Sequence, residues 1–388
     1  MSLDDPIEKA FGAIAVLGPS AGLDMLISLF DGRCGPGGEY APLTLKENAQ
    51  AACNLYGTLS RRLFGMGLSS PAIALLTDGW NRFGRQQREA KKRIYRAGIA
   101  AYLVSTYSWL GDEGAALRWA LNTQADDMLG EHPDGGGAGK QWLLGPLGVS
   151  KQVVTDLNAI AARNIETVRS KYRNDWSSVL GFAENVVMRF ALEKPEFGAL
   201  FARESSVQEF PLSEGYFSAL LERVSVHQAT AADKGRSFED LASYLFLLVH
   251  GWVPRRNLLG EDQSFETDIV VRNLSRASNL TAELLGRHFL VECKNWRKPV
   301  GVKDVGYFLY RMHLTHAGFG VILTKAGITG RKANEEAARG LVRRAFHEDG
   351  SICVVLDEAD LRSMLDTQSS FWSILLERIE RVRFGVQR

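Results

Sequence analysis

Four cysteines in 388 residues, Cys34, Cys53, Cys293 and Cys353, are too few and too scattered for a disulfide framework or a zinc site. A reducing cytoplasm is therefore the expected setting. Long apolar runs are also missing. The longest, Ala97 to Leu110, falls short of the ~20 residues that span a bilayer, and it contains Ser105, Thr106 and Ser108. No membrane anchor is expected. The opening MSLDDPIEKA carries acids where a secretory signal has basic residues, so no targeting segment is expected. An excess of one charge sign is missing too. The formal net charge is +1, which excludes a strongly basic coat or an acidic tail. A local basic groove can still sit inside a balanced total.

What is present is globular. Hydrophobic residues make up 45% of the chain and charged residues 23%, and the length suits two domains with separate cores. Residues 1–230 read as helix after helix, with apolar residues at three- and four-residue spacing over Leu45–Phe64, Gln86–Leu110, Ala115–Leu129, Val149–Tyr172 and Trp176–Leu192. Ile94–Leu110, the turn Gly111-Asp112-Glu113-Gly114 and Ala115–Leu129 predict an antiparallel helical hairpin. Its stretch LGDEGAALRWALNTQADDML is similar to part of a tetratricopeptide-type repeat, with Ala115, Ala116 and Ala120 at the helix contact. No second copy follows at a fixed period. The run Asp134-Gly135-Gly136-Gly137-Ala138-Gly139-Lys140-Gln141 suggests a phosphate loop. Asp134 stands where its first glycine belongs, Gln141 replaces the hydroxyl residue after the lysine, and no strand precedes it. An inter-helix loop is the better reading.

The texture changes near Asp233-Lys234-Gly235-Arg236. Residues 231–388 read as helix Ser237–His250, strands Trp252–Arg256, Phe265–Val271 and His288–Lys294, helix Val302–His316, strand Gly318–Leu323, helix Gly330–Phe346, strand Ile352–Leu356 and closing helices. This is an α/β pattern with a helical crossover. From Ala231 onward, 23 Lys+Arg stand against 20 Asp+Glu, so this part is slightly basic and the first slightly acidic.

The chemistry concentrates in Phe289-Leu290-Val291-Glu292-Cys293-Lys294. Side chains alternate along a strand, so Leu290, Glu292 and Lys294 share a face. Read alone, the strand is equally compatible with a plain ion pair at its end. Asp268 opens the apolar run Asp268-Ile269-Val270-Val271 on what should be a neighbouring strand. Glu239 falls in the first turn of a helix with Ser237 as its expected N-cap, where an acid also suits the helix dipole. Carboxylates gathered at strand ends suit Mg²⁺, a hard cation that prefers oxygen ligands. The Cys293 backbone carbonyl is a candidate further ligand. A divalent ion acidifies water and neutralises charge on a phosphodiester. Lys294 could orient or help deprotonate that water, or stabilise the charge on phosphorus.

These motifs, in this order, resemble the restriction-endonuclease-like PD-(D/E)xK superfamily, and within it the Mrr-like restriction endonuclease family. The resemblance runs from about Gly235 to Leu361. It comprises the helix Gly235-Arg236-Ser237-Phe238-Glu239, the turn Gly251-Trp252, the strand start Asp268-Ile269-Val270-Val271 and the strand Val291-Glu292-Cys293-Lys294. Downstream it takes in Gly320 to Thr329, the helix residues Ala333, Ala337 and Ala338, and the closing strand Ile352–Asp357. It implies an α/β domain with a mixed central sheet, which follows the all-helical N-terminal domain read from the apolar spacing. It also implies a Mg²⁺- or Mn²⁺-dependent deoxyribonuclease in prokaryotic restriction or anti-phage defence. Asp268 and Glu292 would be metal ligands, Lys294 the catalytic lysine and Glu239 the supporting helix acid. Thr267 replaces the proline usually written before the first acid, and Asp262 is a rival for that acid. Asp268 is preferred because it begins an apolar strand.

Trp296, Arg297 and Lys298, directly after the catalytic strand, are candidate nucleic-acid contacts, as are Arg331 and Lys332 at a helix start. His313 and His316 read as a solvated or DNA-facing edge. Arg343, Arg344, Arg378, Arg381, Arg383 and Arg388 read as a solvated helix face. The expected partner is DNA. The helical domain would sense a signal, bind a protein partner or oligomerise, and cutting both strands favours a homodimer or larger assembly. The alternatives are a non-catalytic nucleic-acid-binding scaffold and a repair or junction nuclease of the same fold.

Overall fold

The structure is a computed structural model that describes residues 6–30, 45–90, 94–129, 137–171, 181–225, 230–259, 266–275, 285–330, 337–367 and 369–384. Asp262, Arg331, Lys332, Ala333 and Arg388 lie outside the described residues. The chain divides into two compact units, Met1–Val187 with Ser213–Tyr216, and Met188–Leu212 with Phe217–Arg388. Among the described residues, no helix is long and apolar enough to cross a membrane.

The first unit is helical. Its elements include α1 (Pro6–Leu17), α2 (Pro19–Leu29), α3 (Leu45–Gly65), α4 (Ser69–Ala90), α5 (Ala97–Trp109), α6 (Glu113–Leu129), α7 (Ala138–Leu144) and α8 (Lys151–Lys171), and α9 (Phe182–Glu193) begins in it. The expected α5–α6 hairpin is present, and Ala115, Ala116 and Ala120 are fully buried in it. The expected single helix Gln86–Leu110 is not: α4 ends at Ala90 and Ile94–Arg96 are non-helical. The break follows from what Arg96 does. Its backbone N–H donates to Asp126 (3.0 Å) and its guanidinium to Glu184 Oε2 (2.6 Å), so the chain turns into the core there.

Helix α6 is buried on every side from Gly114 to Asp127. Several of its polar groups are bonded internally: Gln124 Nε2 donates to Asn158 (2.8 Å), and Asp127 accepts from the Tyr95 hydroxyl (3.0 Å) and the Gly139 N–H (3.0 Å). The last contact explains part of the glycine-rich run. A Cβ on Gly139 would lie 2.3 Å from the Gln124 backbone nitrogen, so glycine is what lets α7 press against α6.

The second unit is built on a five-stranded mixed sheet in sequential order β1-β2-β3-β4-β5. The strands are β1 (Trp252–Leu259), β2 (Glu266–Asn273), β3 (His288–Lys294), β4 (Phe319–Thr324) and β5 (Ile352–Asp357). The first two pairings are antiparallel and the last two parallel. Parallel neighbours need a crossover, supplied by α12 (Val302–Leu314) between β3 and β4 and by α13 (Ala338–Asp349) between β4 and β5. Its further elements include the end of α9, the short 3-10 helix Pro195–Ala202, most of α10 (Glu214–Ser225), α11 (Ala231–Leu248), α14 (Glu358–Thr367) and α15 (Phe371–Phe384).

Two cores flank the sheet. Phe246 of α11 packs edge-on against Phe289 (5.7 Å) and Phe371 (5.2 Å), and Trp252 meets Phe289 at 4.9 Å. On the opposite face Leu290, Val305, Phe308, Met312, Ile322, Val342 and Cys353 form a second apolar cluster. The turn into β1 needs Gly251, at φ +78°, because a Cβ there would meet the Ser275 backbone at 2.6 Å.

Two expectations are corrected here. Helix α11 starts at Ala231, not Ser237. Thr230 is its N-cap: its hydroxyl accepts from the Asp233 N–H (3.1 Å), and Ser237 is buried inside the helix. The terminal arginines are not all on a solvated face, since Arg378 is half-buried and pairs with Asp360, whereas Arg381 makes an exposed pair with Glu377.

Candidate active site

Asp268 and Glu292 come together because of the β2–β3 register. Ile269 pairs with Val291 and Val270 with Leu290. One step further along this antiparallel pairing, Asp268 faces Glu292 on the same side of the sheet. The Asp268 carboxylate turns along the strand and accepts a 2.7 Å hydrogen bond from the Cys293 N–H. Glu292 is buried, and its Oε1 accepts from Lys294 Nζ at 2.7 Å. Lys294 is two residues further along β3, so the alternation that joins these side chains is the one the sequence predicts.

Burial pushes the Asp268 carboxyl up to about 6, and the nearby Glu292 charge adds to the effect. The Cys293 N–H and the Lys294 ammonium oppose the shift without cancelling it. Glu239, on α11, acts on the cluster through its charge. It lies in the third turn of that helix, not the first, and its charge helps raise Asp268. Burial raises Glu239 as well, against the pull of Arg256. Its neighbour Asp240 is engaged elsewhere, by Arg256 (2.7 Å) and Arg189 (3.3 Å).

Trp296, Arg297 and Lys298 are exposed in the segment after β3. The Trp296 ring lies 5.1 Å from Lys294 Nζ, a cation–π contact at the edge of the cluster. The loop after β4 is pinned beside them: Val300 N–H donates to Gly327 (2.9 Å) and Thr329 N–H to Val300 (2.9 Å).

One member of the cluster is absent from the sequence reading. Arg311 of α12 is buried and donates to Glu292 Oε2 and to the Glu266 carbonyl at the start of β2. Its signal is an arginine in the core-facing register of Val305, Phe308 and Met312, where a charge has to find a partner.

The donors gathered here are hard oxygens. Among the described residues no group of three or more His, Cys, Asp or Glu side chains could hold a metal ion. A cation at this place would therefore rest on Asp268 and Glu292, completed by backbone carbonyl or water. The register that sets Asp268 opposite Glu292 fits such an ion, because a divalent charge between two carboxylates offsets both their burial, which chiefly raises Asp268, and their mutual repulsion.

A mixed five-stranded sheet carrying an Asp on one strand and Glu-x-Lys on the next is the arrangement of a restriction-endonuclease-like domain. Residues 231–361 match the family model of the Mrr-type catalytic domain, described as restriction endonuclease. The match lies in the C-terminal part of the chain and takes in every strand of the sheet. No curated protein and no solved structure matches the chain.

Proposed function

We propose that the protein is a divalent-metal-dependent endonuclease that hydrolyses DNA phosphodiester bonds, with its centre at Asp268, Glu292 and Lys294. The observation that carries this reading is the crowding of Asp268 against Glu292 beside the Lys294 ammonium. A structural ion pair needs one acid and one base, whereas a second acid buried beside the first, its carboxyl raised chiefly by burial and then by its neighbour's charge, is an arrangement that stability alone disfavours.

Mg²⁺ or Mn²⁺, held by Asp268 and Glu292 with the Cys293 carbonyl as a further donor, would supply Lewis acidity to the scissile phosphate and to water. Lys294 presents a compact ammonium to the phosphate oxygens, offsetting the charge that grows as a water oxygen adds to phosphorus and the P–O bond to the leaving group breaks. Glu239 helps hold the attacking water, whose proton passes to solvent as the leaving oxygen takes one up. Exposed Trp296, Arg297 and Lys298 lie where a nucleic-acid backbone would run past the centre. The helical unit serves as a sensing, partner-binding or oligomerisation module, and restriction or anti-phage defence is the setting the family match favours.

The test is plasmid cleavage by the purified full chain with Mg²⁺ or Mn²⁺, with Lys294→Ala and Asp268→Ala alongside. Both variants should lose at least about a hundredfold in rate, the scale of removing one charge-stabilising group. Identical products from wild type and variants would falsify the assignment.

A further inference from the structure

Arg311 is an ionised guanidinium set in the core of the nuclease-like domain, 3% exposed, between sheet and helix. It projects from α12 among Val305, Phe308 and Met312, all buried. Its carbon centre lies 4.9 Å from the Tyr307 ring and 5.6 Å from the Phe308 ring. One amino group donates to the Glu266 backbone carbonyl on β2 and the other to Glu292 Oε2 on β3. The third donor, Nε, is buried with no hydrogen-bond acceptor. The fork therefore ties two strands and a carboxylate to one helix, at the expense of a buried donor left unsatisfied.

The two oxygens of Glu292 are divided between two cations. Oε2 goes to Arg311, whose side chain is 4% exposed, and Oε1 goes to Lys294, whose side chain is 22% exposed. The inner oxygen is thus held by a cation shielded from solvent, and the outer one by a cation near the surface. An arginine at this place stays charged under all ordinary conditions.

We propose that Arg311 is a positioning residue and a built-in competitor for metal: it fixes Glu292 so that a divalent ion meets only Oε1, and it weakens the site's hold on that ion. This rests on the metal-dependent reading above and deepens it. Geometry and charge are separable consequences. The fork sets where Oε1 points, which governs turnover. The positive charge a few ångströms behind the carboxylate lowers the potential that attracts a second cation, which governs affinity.

The test is Mn²⁺ titration of the full chain without DNA, by calorimetry or electron paramagnetic resonance, with cleavage rates measured in parallel. Arg311→Met removes charge and fork. It should bind Mn²⁺ about tenfold more tightly than wild type, while cleavage at saturating Mn²⁺ falls at least about tenfold. Arg311→Lys keeps the charge and loses the fork. It should bind Mn²⁺ within about threefold of wild type yet remain slow. A merely structural arginine predicts the opposite for Arg311→Met, loss of Mn²⁺ binding together with stability. Unchanged or weaker Mn²⁺ affinity in folded Arg311→Met overturns the proposal. If that variant does not fold, Arg311→Lys decides: wild-type cleavage, or Mn²⁺ affinity shifted well beyond threefold, overturns it. Asp268→Ala separates the two readings. Binding that Asp268→Ala abolishes, with no tightening in Arg311→Met, removes the Arg311 inference alone. No binding by wild type or Arg311→Met removes the metal reading and this inference with it.

Discussion

Asp268 should make the nuclease-like domain less stable as pH rises, and Asp268→Asn should remove that dependence. The carboxyl moves from an ordinary 3.8 to about 6 in the folded chain, through burial and then through Glu292. The folded state therefore binds its proton more tightly than the unfolded state. Between about pH 4 and pH 6 the folded state carries more protons, so stability falls as pH rises through that window. Above it the full penalty is present. At ~1.4 kcal/mol per pH unit it amounts to about 3 kcal/mol, and solvent relaxation will reduce it. Asparagine keeps an oxygen to accept the Cys293 N–H and carries no charge. Asp268→Asn should thus be about 1–3 kcal/mol more stable than wild type near pH 7.5, and the gap should close towards pH 4. The assay is urea unfolding of both proteins at each pH, followed by tryptophan fluorescence, since Trp252 is fully buried in this domain. If the Asp268→Asn variant is no more stable than wild type at pH 7.5, or if its advantage persists at pH 4, the crowding argument is refuted. Either result also removes the observation on which the metal reading stands.

Two more substitutions probe the frame around the site and the helical unit. A Cβ at Gly320 on β4 would lie 2.5 Å from Met312 Sδ and 2.9 Å from the Phe308 ring, so Gly320→Ala should push α12 outward and lower stability by about 1–3 kcal/mol in urea melts. In the helical unit, Glu184 is buried and accepts from Arg96 (2.6 Å) and Trp80 Nε1 (2.9 Å). Glu184→Ala leaves that guanidinium with only the longer Asp126 pairing (3.9 Å) and should destabilise by about 2–4 kcal/mol, while a loss below about 1 kcal/mol would show that the pair contributes little.

Much of the fold is legible in the sequence because the nuclease-like domain obeys local rules. The strand His288–Lys294 is expected with the bounds it has in the structure, since the apolar run Phe289-Leu290-Val291 flanked by turns leaves little choice. The register of β3 against β2 then follows from burying Phe289 and Val291 on one face and Leu290 on the other. The start of α11 is not legible in the same way. Gly235 looks like a break, yet a glycine is tolerated inside a helix when the cap and the buried face are good enough. Thr230 provides the cap, and Phe238, Leu241, Ala242 and Leu245 provide the face. Helix α6 shows a different limit. Periodicity identifies a wet face only if one exists. Arg118, Asn122 and Asp126 fall at four-residue spacing like a solvated stripe, but all are buried.

The candidate site divides along the same line. Glu292 and Lys294 are joined by strand alternation, a relation two residues long, and Asp268 joins them through one strand pairing. Arg311 is 19 residues from Glu292 and reaches it only after a helix has crossed the sheet. No motif of contiguous residues can express that contact. It also changes what Glu-x-Lys means here. The strand supplies an acid with two cations, not one, and the second comes from the crossover helix that fixes where β4 lies. Any change that shifts α12 therefore acts on Glu292. Substitutions at Gly320 or Met312, which carry no acid or base of the site, should alter cleavage along with stability, whereas substitutions in β5 beyond the reach of α12 should alter stability alone.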